Sequence, residues 1–134
     1  MTAQQVRLVR DSIEVLREEA EPFALLFYGK LFELDPAARK LFHNDLAVQG
    51  RKVMDMLTSV VDSLDDFQPM RVRLGELGRK HAEFGVQLEQ YDTLSKALLW
   101  SIGQALGPSF DAPMREAWRL AINAICVAMK SGLA

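Results

Sequence analysis

Apolar side chains recur along this chain at the three- and four-residue spacing of α-helices. No segment shows sustained two-residue alternation over a β-branched stretch, the pattern typical of a strand. Thr2 and Gln5 have the spacing of a capping box and should start the first helix. One apolar stripe follows them, made of Val6, Val9, Ile13, Leu16 and Ala20. The pattern predicts an all-α fold.

Prolines, glycines and short polar stretches divide the first half of the chain. Pro22 fits the first turn of a second helix. Asp35 and Pro36 form an N-cap-plus-proline signal for a short third helix through Leu41 and Phe42. A polar connection over 43–47 then leads into a long fourth helix. The apolar stripes of the second and fourth helices are Phe23, Phe27, Leu31 and Leu34, and Val53, Leu57, Val60 and Leu64.

The second half divides in the same way. The segment 65–69 ends the long helix, and the next helix is predicted to run to about Phe84, with Gly85 as its C-cap. Gly107 and Pro108 form the turn between two final long helices. The apolar faces of these three helices are, in chain order, Leu74, Leu77 and His81; Tyr91, Leu94, Leu98 and Ile102; and Met114, Trp118, Ile122, Ile125 and Met129. We expect about seven helices in a single domain spanning 1–134.

Composition supports the prediction of one helical domain and excludes several classes of protein. The 134 residues are 49% apolar and 25% charged, which is ordinary for one globular domain. The net charge of −2 comes without a basic block, so a nucleic-acid partner is not expected. The N-terminus lacks the apolar run of a signal peptide, and no uncharged apolar stretch is long enough to span a membrane. We therefore expect a soluble cytoplasmic protein, either a monomer or a weak homodimer.

His81 is the residue with the clearest chemical potential. It shares an apolar helical face with Leu74 and Leu77, where an imidazole is either a hydrogen-bonded core residue or a ligand. The only other histidine is His43, and no cysteine pair, HExxH motif or acidic calcium loop accompanies the two. A single imidazole suffices as a metal ligand when a haem supplies four porphyrin nitrogens. Because no CxxCH motif is present, such a haem would be bound noncovalently.

Three segments, in this order and spacing, carry a family resemblance. They are LLFYGKLFELDPAARKLF (25–42), VQGRKVMDML (48–57) and LGRKHAEFGVQLEQYDTL (77–94). The chain resembles the bacterial single-domain globins and the haem domain of flavohaemoglobins. The resemblance covers nearly the whole chain and includes Ala117 and Trp118 in the last helix. It implies a globin fold around one haem b.

The resemblance also implies roles on the side of the haem where gases bind. Tyr28 takes the place of the distal tyrosine and Gln49 that of the distal polar residue, so both are the candidate catalytic residues. Phe42 takes the place of the phenylalanine stacked on the porphyrin. Val53, one turn after Gln49, would close the pocket. Tyrosine and glutamine both donate hydrogen bonds, which suits a bound dioxygen with partial negative charge.

On the other side of the haem, His81 takes the place of the proximal ligand and Tyr91 that of a tyrosine near the ligating imidazole. Lys52 and Lys80 are candidates to meet the haem propionates. Four further side chains are expected to contact the cofactor: Leu57, Leu77, Val86 and Leu94. Each assignment has a plainer alternative, since the apolar residues would be core in any helical bundle, and the lysines and Gln49 would ordinarily be solvated.

The sequence departs from the flavohaemoglobin pattern in two respects. We expect no flavin or nicotinamide domain after the last helix, and the place of a late glutamate falls at Leu133. Without that carboxylate the proximal imidazole is less anionic, which disfavours peroxidase-like chemistry.

The expected function is reversible binding of dioxygen, NO or CO at ferrous iron. Conversion of NO and oxygen to nitrate is expected if an external reductase restores the iron. A haem-based gas or redox sensor acting through a partner protein is the main alternative, and a haem-free structural module is another. With glutamine at the distal place, a permanent bis-histidine state is not expected, although His43 is a conceivable sixth ligand.

Overall fold

A computed structural model describes residues 1–42 and 45–133. Within these residues there are six α-helices, two short 3-10 helices and no strand. The α-helices are α1 (Ala3–Glu18), α2 (Ala20–Leu34), α3 (Leu46–Asp62), α4 (Gln68–Glu83), α5 (Gln90–Leu106) and α6 (Ala112–Ser131). The 3-10 helices are Pro36–Leu41 and Gly107–Ser109. The all-α prediction with about seven helices is confirmed. His43 and part of the predicted connection 43–47 lie outside the described residues.

Most of the predicted helix ends are confirmed by their hydrogen bonds. The Thr2 hydroxyl accepts from the Gln5 backbone N–H at 3.1 Å, and the Gln5 side chain accepts from the Thr2 N–H at 2.9 Å, which completes the capping box. The Asp111 carboxylate accepts from the Met114 N–H at 3.0 Å at the start of α6. Asp35 differs, because its carboxylate caps no helix. It accepts instead from the Gln90 side-chain amide at 3.0 Å and so links the end of α2 to the start of α5.

Four residues differ from their expected places in or between the helices. Ala20 starts α2, because α1 ends at Glu18. Leu34, at the last turn of α2, is exposed, and Leu64 lies beyond the end of α3. Gly85 follows the C-cap residue Phe84 instead of being the cap itself. Its φ of 102° is in the left-handed region that favours glycine, which explains why α4 stops there.

The helices pack pairwise around one apolar cluster. α2 packs against α5 and α3, and α4 packs against α6. The α2–α3 crossing is close, since a Cβ atom at Gly50 would lie 2.5 Å from the Ala24 Cβ. The buried Trp118 indole donates to the Ser12 hydroxyl at 2.8 Å and joins α6 to α1. In the described part of the chain, no helix has the length and apolar character needed to cross a membrane.

Candidate functional site

A cavity of about 270 Å³ lies among the helices, with walls from α2 to α6 and from the Pro36–Leu41 helix. Most of its wall residues are apolar. Ten of the residues singled out from the sequence lie in that wall: Tyr28, Phe42, Gln49, Lys52, Val53, Leu77, His81, Val86, Tyr91 and Leu94. Residues from all three segments that carry the family resemblance thus meet at one place. Lys52 is exposed, so the cavity wall reaches the protein surface.

Two singled-out residues do not belong to this wall. Leu57 is fully buried in the core of the molecule. Lys80 is exposed and lines a neighbouring groove between α3 and α4, which it shares with Lys52. Lys52 is therefore the lysine at the cavity itself, and Lys80 stands beside it.

Several wall residues were missed by the sequence reasoning. Cys126 and Met129 enter from α6, and Asp35 and Gln90 enter as a hydrogen-bonded pair. The apolar stripe of α6 marks Met129 as buried, but a stripe does not show which buried residues face a cavity. The Asp35–Gln90 pair is 55 residues apart in sequence and leaves no local signal.

His81 is held in a defined orientation on the last turn of α4. Its Nδ1 lies 2.8 Å from the backbone carbonyl oxygen of Leu77, one turn earlier. An Nδ1–H that donates to this carbonyl fixes the tautomer and leaves Nε2 with a free lone pair. The chain after the helix is tied back to the same residue, because the Val86 N–H donates to the His81 carbonyl at 3.0 Å. The imidazole is half-buried and belongs to the cavity wall.

Tyr28 provides a hydroxyl group from α2. Its side chain is 3% exposed, and its hydroxyl has no hydrogen-bond partner among the described residues. Burial raises the pKa of Tyr28 to about 12, so the hydroxyl keeps its proton at neutral pH. The ring packs edge-on against Phe42, with centroids 5.2 Å apart. Gln49, half-buried on the first turn of α3, shares the cavity wall with it.

Tyr91 provides a second hydroxyl, from the start of α5. Its side chain is 2% exposed, and this hydroxyl too lacks a partner in the part of the chain that the structure describes. Burial raises the pKa of the phenol, and the nearby Cys126 adds to that effect. The Cys126 thiol lies 3.0 Å from the Ser95 hydroxyl, and burial raises its pKa above the ordinary thiol value.

The residues present fit a haem. An apolar cavity that contains one oriented imidazole can hold a planar macrocycle whose metal needs a single protein ligand. Buried hydroxyls without partners are rare in proteins and point to a ligand group that completes them. An exposed lysine at the wall suits a cofactor with carboxylates at its edge.

A family model described as Globin matches residues 25–129. The chain belongs to the globin family. Membership makes it a haem-binding and gas-binding protein. Among curated relatives, this globin is 30% identical to neuroglobin-1 of Oncorhynchus mykiss, over 100% of this chain and 93% of that protein. It is also 30% identical to neuroglobin of Danio rerio, over 95% of this chain and 89% of that protein.

Solved structures agree on the fold. The globin superposes on a bacterial globin from Campylobacter jejuni with a TM-score of 0.85 and 20% identity, covering 98% of this chain and 95% of that one. An engineered carbene transferase, made from a candidate nitric oxide dioxygenase of Rhodothermus marinus, gives 0.85 at 24% identity, with 98% and 92% coverage. A hexacoordinated haem protein from an anhydrobiotic tardigrade gives 0.89 at 18% identity, with 98% and 94% coverage. The predicted resemblance to bacterial globins is confirmed.

Proposed function

We propose that this globin binds haem b noncovalently through His81 and uses it to hold dioxygen reversibly, with NO and CO as alternative ligands. When bound, the haem supplies a ferrous iron with one open coordination position for a gas. The observation that carries the proposal is the oriented His81 imidazole in the same cavity wall as the unpartnered Tyr28 hydroxyl.

The role of His81 follows from its hydrogen bond to Leu77. A backbone carbonyl that accepts from Nδ1–H makes the imidazole less electron-rich than a carboxylate acceptor would. With Nδ1 engaged in this way, Nε2 is the nitrogen that would serve as the ligand. This arrangement suits reversible gas binding better than peroxide cleavage, which needs a more electron-rich proximal ligand.

Tyr28 and Gln49 act on the gas. The Tyr28 hydroxyl is protonated at neutral pH and has no competing acceptor among the described residues, so it is free to donate to a ligand in the cavity. The Gln49 amide can donate as well. In an apolar wall of this kind each such bond contributes about 1 to 2 kcal/mol. Dioxygen, which accepts hydrogen bonds better than CO, gains most.

Lys52 is proposed to hold the edge of the cofactor. Its ammonium is the cation in the cavity wall, and the neighbouring Lys80 lies at the adjoining groove. Both side chains are exposed, so their ion pairs with propionates would contribute less than about 1 kcal/mol each. The apolar contacts of Phe42, Val53, Leu77, Val86 and Leu94 supply the larger share of the affinity.

The test is the optical spectrum of His81 variants in the ferric, ferrous and CO-bound states. His81→Ala should lose the five-coordinate ferrous spectrum, because the axial bond is gone, while His43→Ala, which removes the other histidine, should keep it. Added imidazole should restore the spectrum of His81→Gly, because free imidazole can occupy the space of the missing ring. A normal ferrous and CO spectrum in His81→Ala would overturn the assignment.

We also propose NO dioxygenation, supported by an external reductase, as a second function. The observation that favours it is the pair of distal donors, Tyr28 and Gln49, in one apolar wall. Donors aimed at oxygen keep negative charge on it, which promotes its reaction with NO. A structural neighbour from Rhodothermus marinus derives from a candidate enzyme of this type.

A further inference from the structure

The helix that carries His81 meets α6 backbone to backbone. A Cβ atom at Gly78 would overlap the carbonyl group of Met129. A second close contact lies one turn earlier on α4, at Gly75, whose carbonyl group a Cβ atom at Gly132 would overlap. Side chains at these two places would hold the helices apart, so the glycines permit a crossing that other residues do not.

This contact is directly connected to the cavity on both of its sides. On α4, Gly78 precedes His81 by three residues, so the two are neighbours on the surface of the helix. Leu77, which accepts from His81 Nδ1, adjoins Gly78 in the chain. On α6, Met129 meets Gly78 through its carbonyl group and is itself a residue of the cavity wall.

A second observation points to a ligand at this wall. Tyr91 lines the same cavity as His81 and Met129. Its side chain is only 2% exposed, and no described residue forms a hydrogen bond with its hydroxyl. The contact between α4 and α6 therefore adjoins a cavity that contains an unsatisfied polar group.

We propose that Gly78 is a positioning residue for His81, and that the close α4–α6 crossing it permits sets how far the imidazole reaches into the cavity. The proposal rests on the proposed function, in which His81 is the haem ligand. Protein interiors are close-packed and transmit displacement, so a methyl group at Gly78 has to move α4 relative to α6. His81 moves with the helix, and a ligand geometry tolerates shifts of only about 0.5 Å.

The chain offers a matched control on the same helix. A Cβ atom at Gly75 would lie 3.6 Å from the Ala128 carbonyl oxygen and 3.7 Å from the Gly132 Cα, which are ordinary contacts. Gly75→Ala and Gly78→Ala both replace a buried glycine of α4 by alanine and gain the same helix propensity. They differ in whether the new methyl group fits.

The experiment measures the iron–histidine stretching band of the ferrous, ligand-free globin by resonance Raman spectroscopy, together with the rate of haem transfer to an acceptor apoglobin. Gly78→Ala should displace the band and speed haem transfer about tenfold, equivalent to about 1.4 kcal/mol. Gly75→Ala should leave both at the wild-type values. A change in stability alone would not move the stretching band.

The outcomes distinguish a failure of this proposal from a failure of the proposed haem ligation by His81. A wild-type band that persists unshifted in Gly78→Ala, or that shifts equally in Gly75→Ala, overturns the positioning role and leaves His81 as the ligand. The absence of a histidine band in the wild type overturns both. If Gly78→Ala does not fold, Gly132→Ala decides, since a methyl group at Gly132, directly after α6, would overlap the Gly75 carbonyl and push the same two helices apart. A displaced band supports the proposal, and an unchanged band overturns it.

Discussion

At the scale of single residues, two buried tyrosine hydroxyls in the cavity wall point to a bound ligand. Tyr28 and Tyr91 come from different helices, and each buries a donor that the described residues leave unpaired. An unmade hydrogen bond of this kind costs about 1 to 3 kcal/mol, so both positions lower stability unless a ligand completes them. A ligand in the cavity would supply the missing partners of both hydroxyls in this mostly apolar wall.

At the residue scale, Tyr28→Phe should speed oxygen release far more than CO release. Loss of one donor of about 1 to 2 kcal/mol corresponds to about five- to thirty-fold in the dissociation rate constant. Dissociation measured by ligand replacement in a stopped-flow instrument gives both rate constants on one sample. Tyr91→Phe is the control, because it removes an equally buried hydroxyl that we assign to the proximal side. Equal effects of Tyr28→Phe on the two gases would mean that Tyr28 acts only by packing.

At the scale of elements, the sequence predicted where helices form better than how they meet. Periodicity, prolines and the capping residues located the helices to within a few residues, because those signals act within one or two turns. These signals do not show which residues face the cavity. The apolar stripe identifies Leu57 as buried but not as part of the core behind the cavity, and no local pattern places Lys80 in the adjoining groove. The crossing at Gly78 requires α4 and α6 together, and its partners are about 50 residues apart in the chain.

Gly85 tests how the end of α4 is built. Its φ of 102° strains any residue with a Cβ atom. A Cβ atom at this position would lie 3.6 Å from a side-chain carbon of Leu41, an ordinary contact, so the strain comes from the backbone and not from crowding. Gly85→Ala should therefore lower the free energy of unfolding by about 1 to 2 kcal/mol through the backbone alone. Gly29→Ala, in α2 with nothing within 4 Å of its Cβ, should instead raise it by up to about 1 kcal/mol. Urea denaturation of the two variants measures both, and a stabilising effect of Gly85→Ala would contradict the assigned strain.

At the scale of the whole molecule, the walls of the cavity combine residues from every α-helix except α1. Each segment that resembles bacterial globins contributes one part: Tyr28 and Phe42 from the first, Gln49 and Val53 from the second, and His81 with Tyr91 from the third. Their meeting at one cavity depends on the packing of α2 on α5 and of α4 on α6. The resemblance predicted this constellation, whereas periodicity alone predicted only a helical core.

The proposed NO dioxygenation makes a stoichiometric prediction for the whole globin. Conversion of one NO and one dioxygen to one nitrate consumes one electron, and a single ferrous haem can give one. Stopped-flow mixing of the oxygenated globin with NO should therefore produce one rapid oxidation to the ferric form and one equivalent of nitrate. Repeated turnover should require a reductase and an electron source, and Tyr28→Phe should slow the first turnover because charge on the oxygen is less well held. A slow oxidation, or one without nitrate, would eliminate the enzymatic function and leave reversible gas binding.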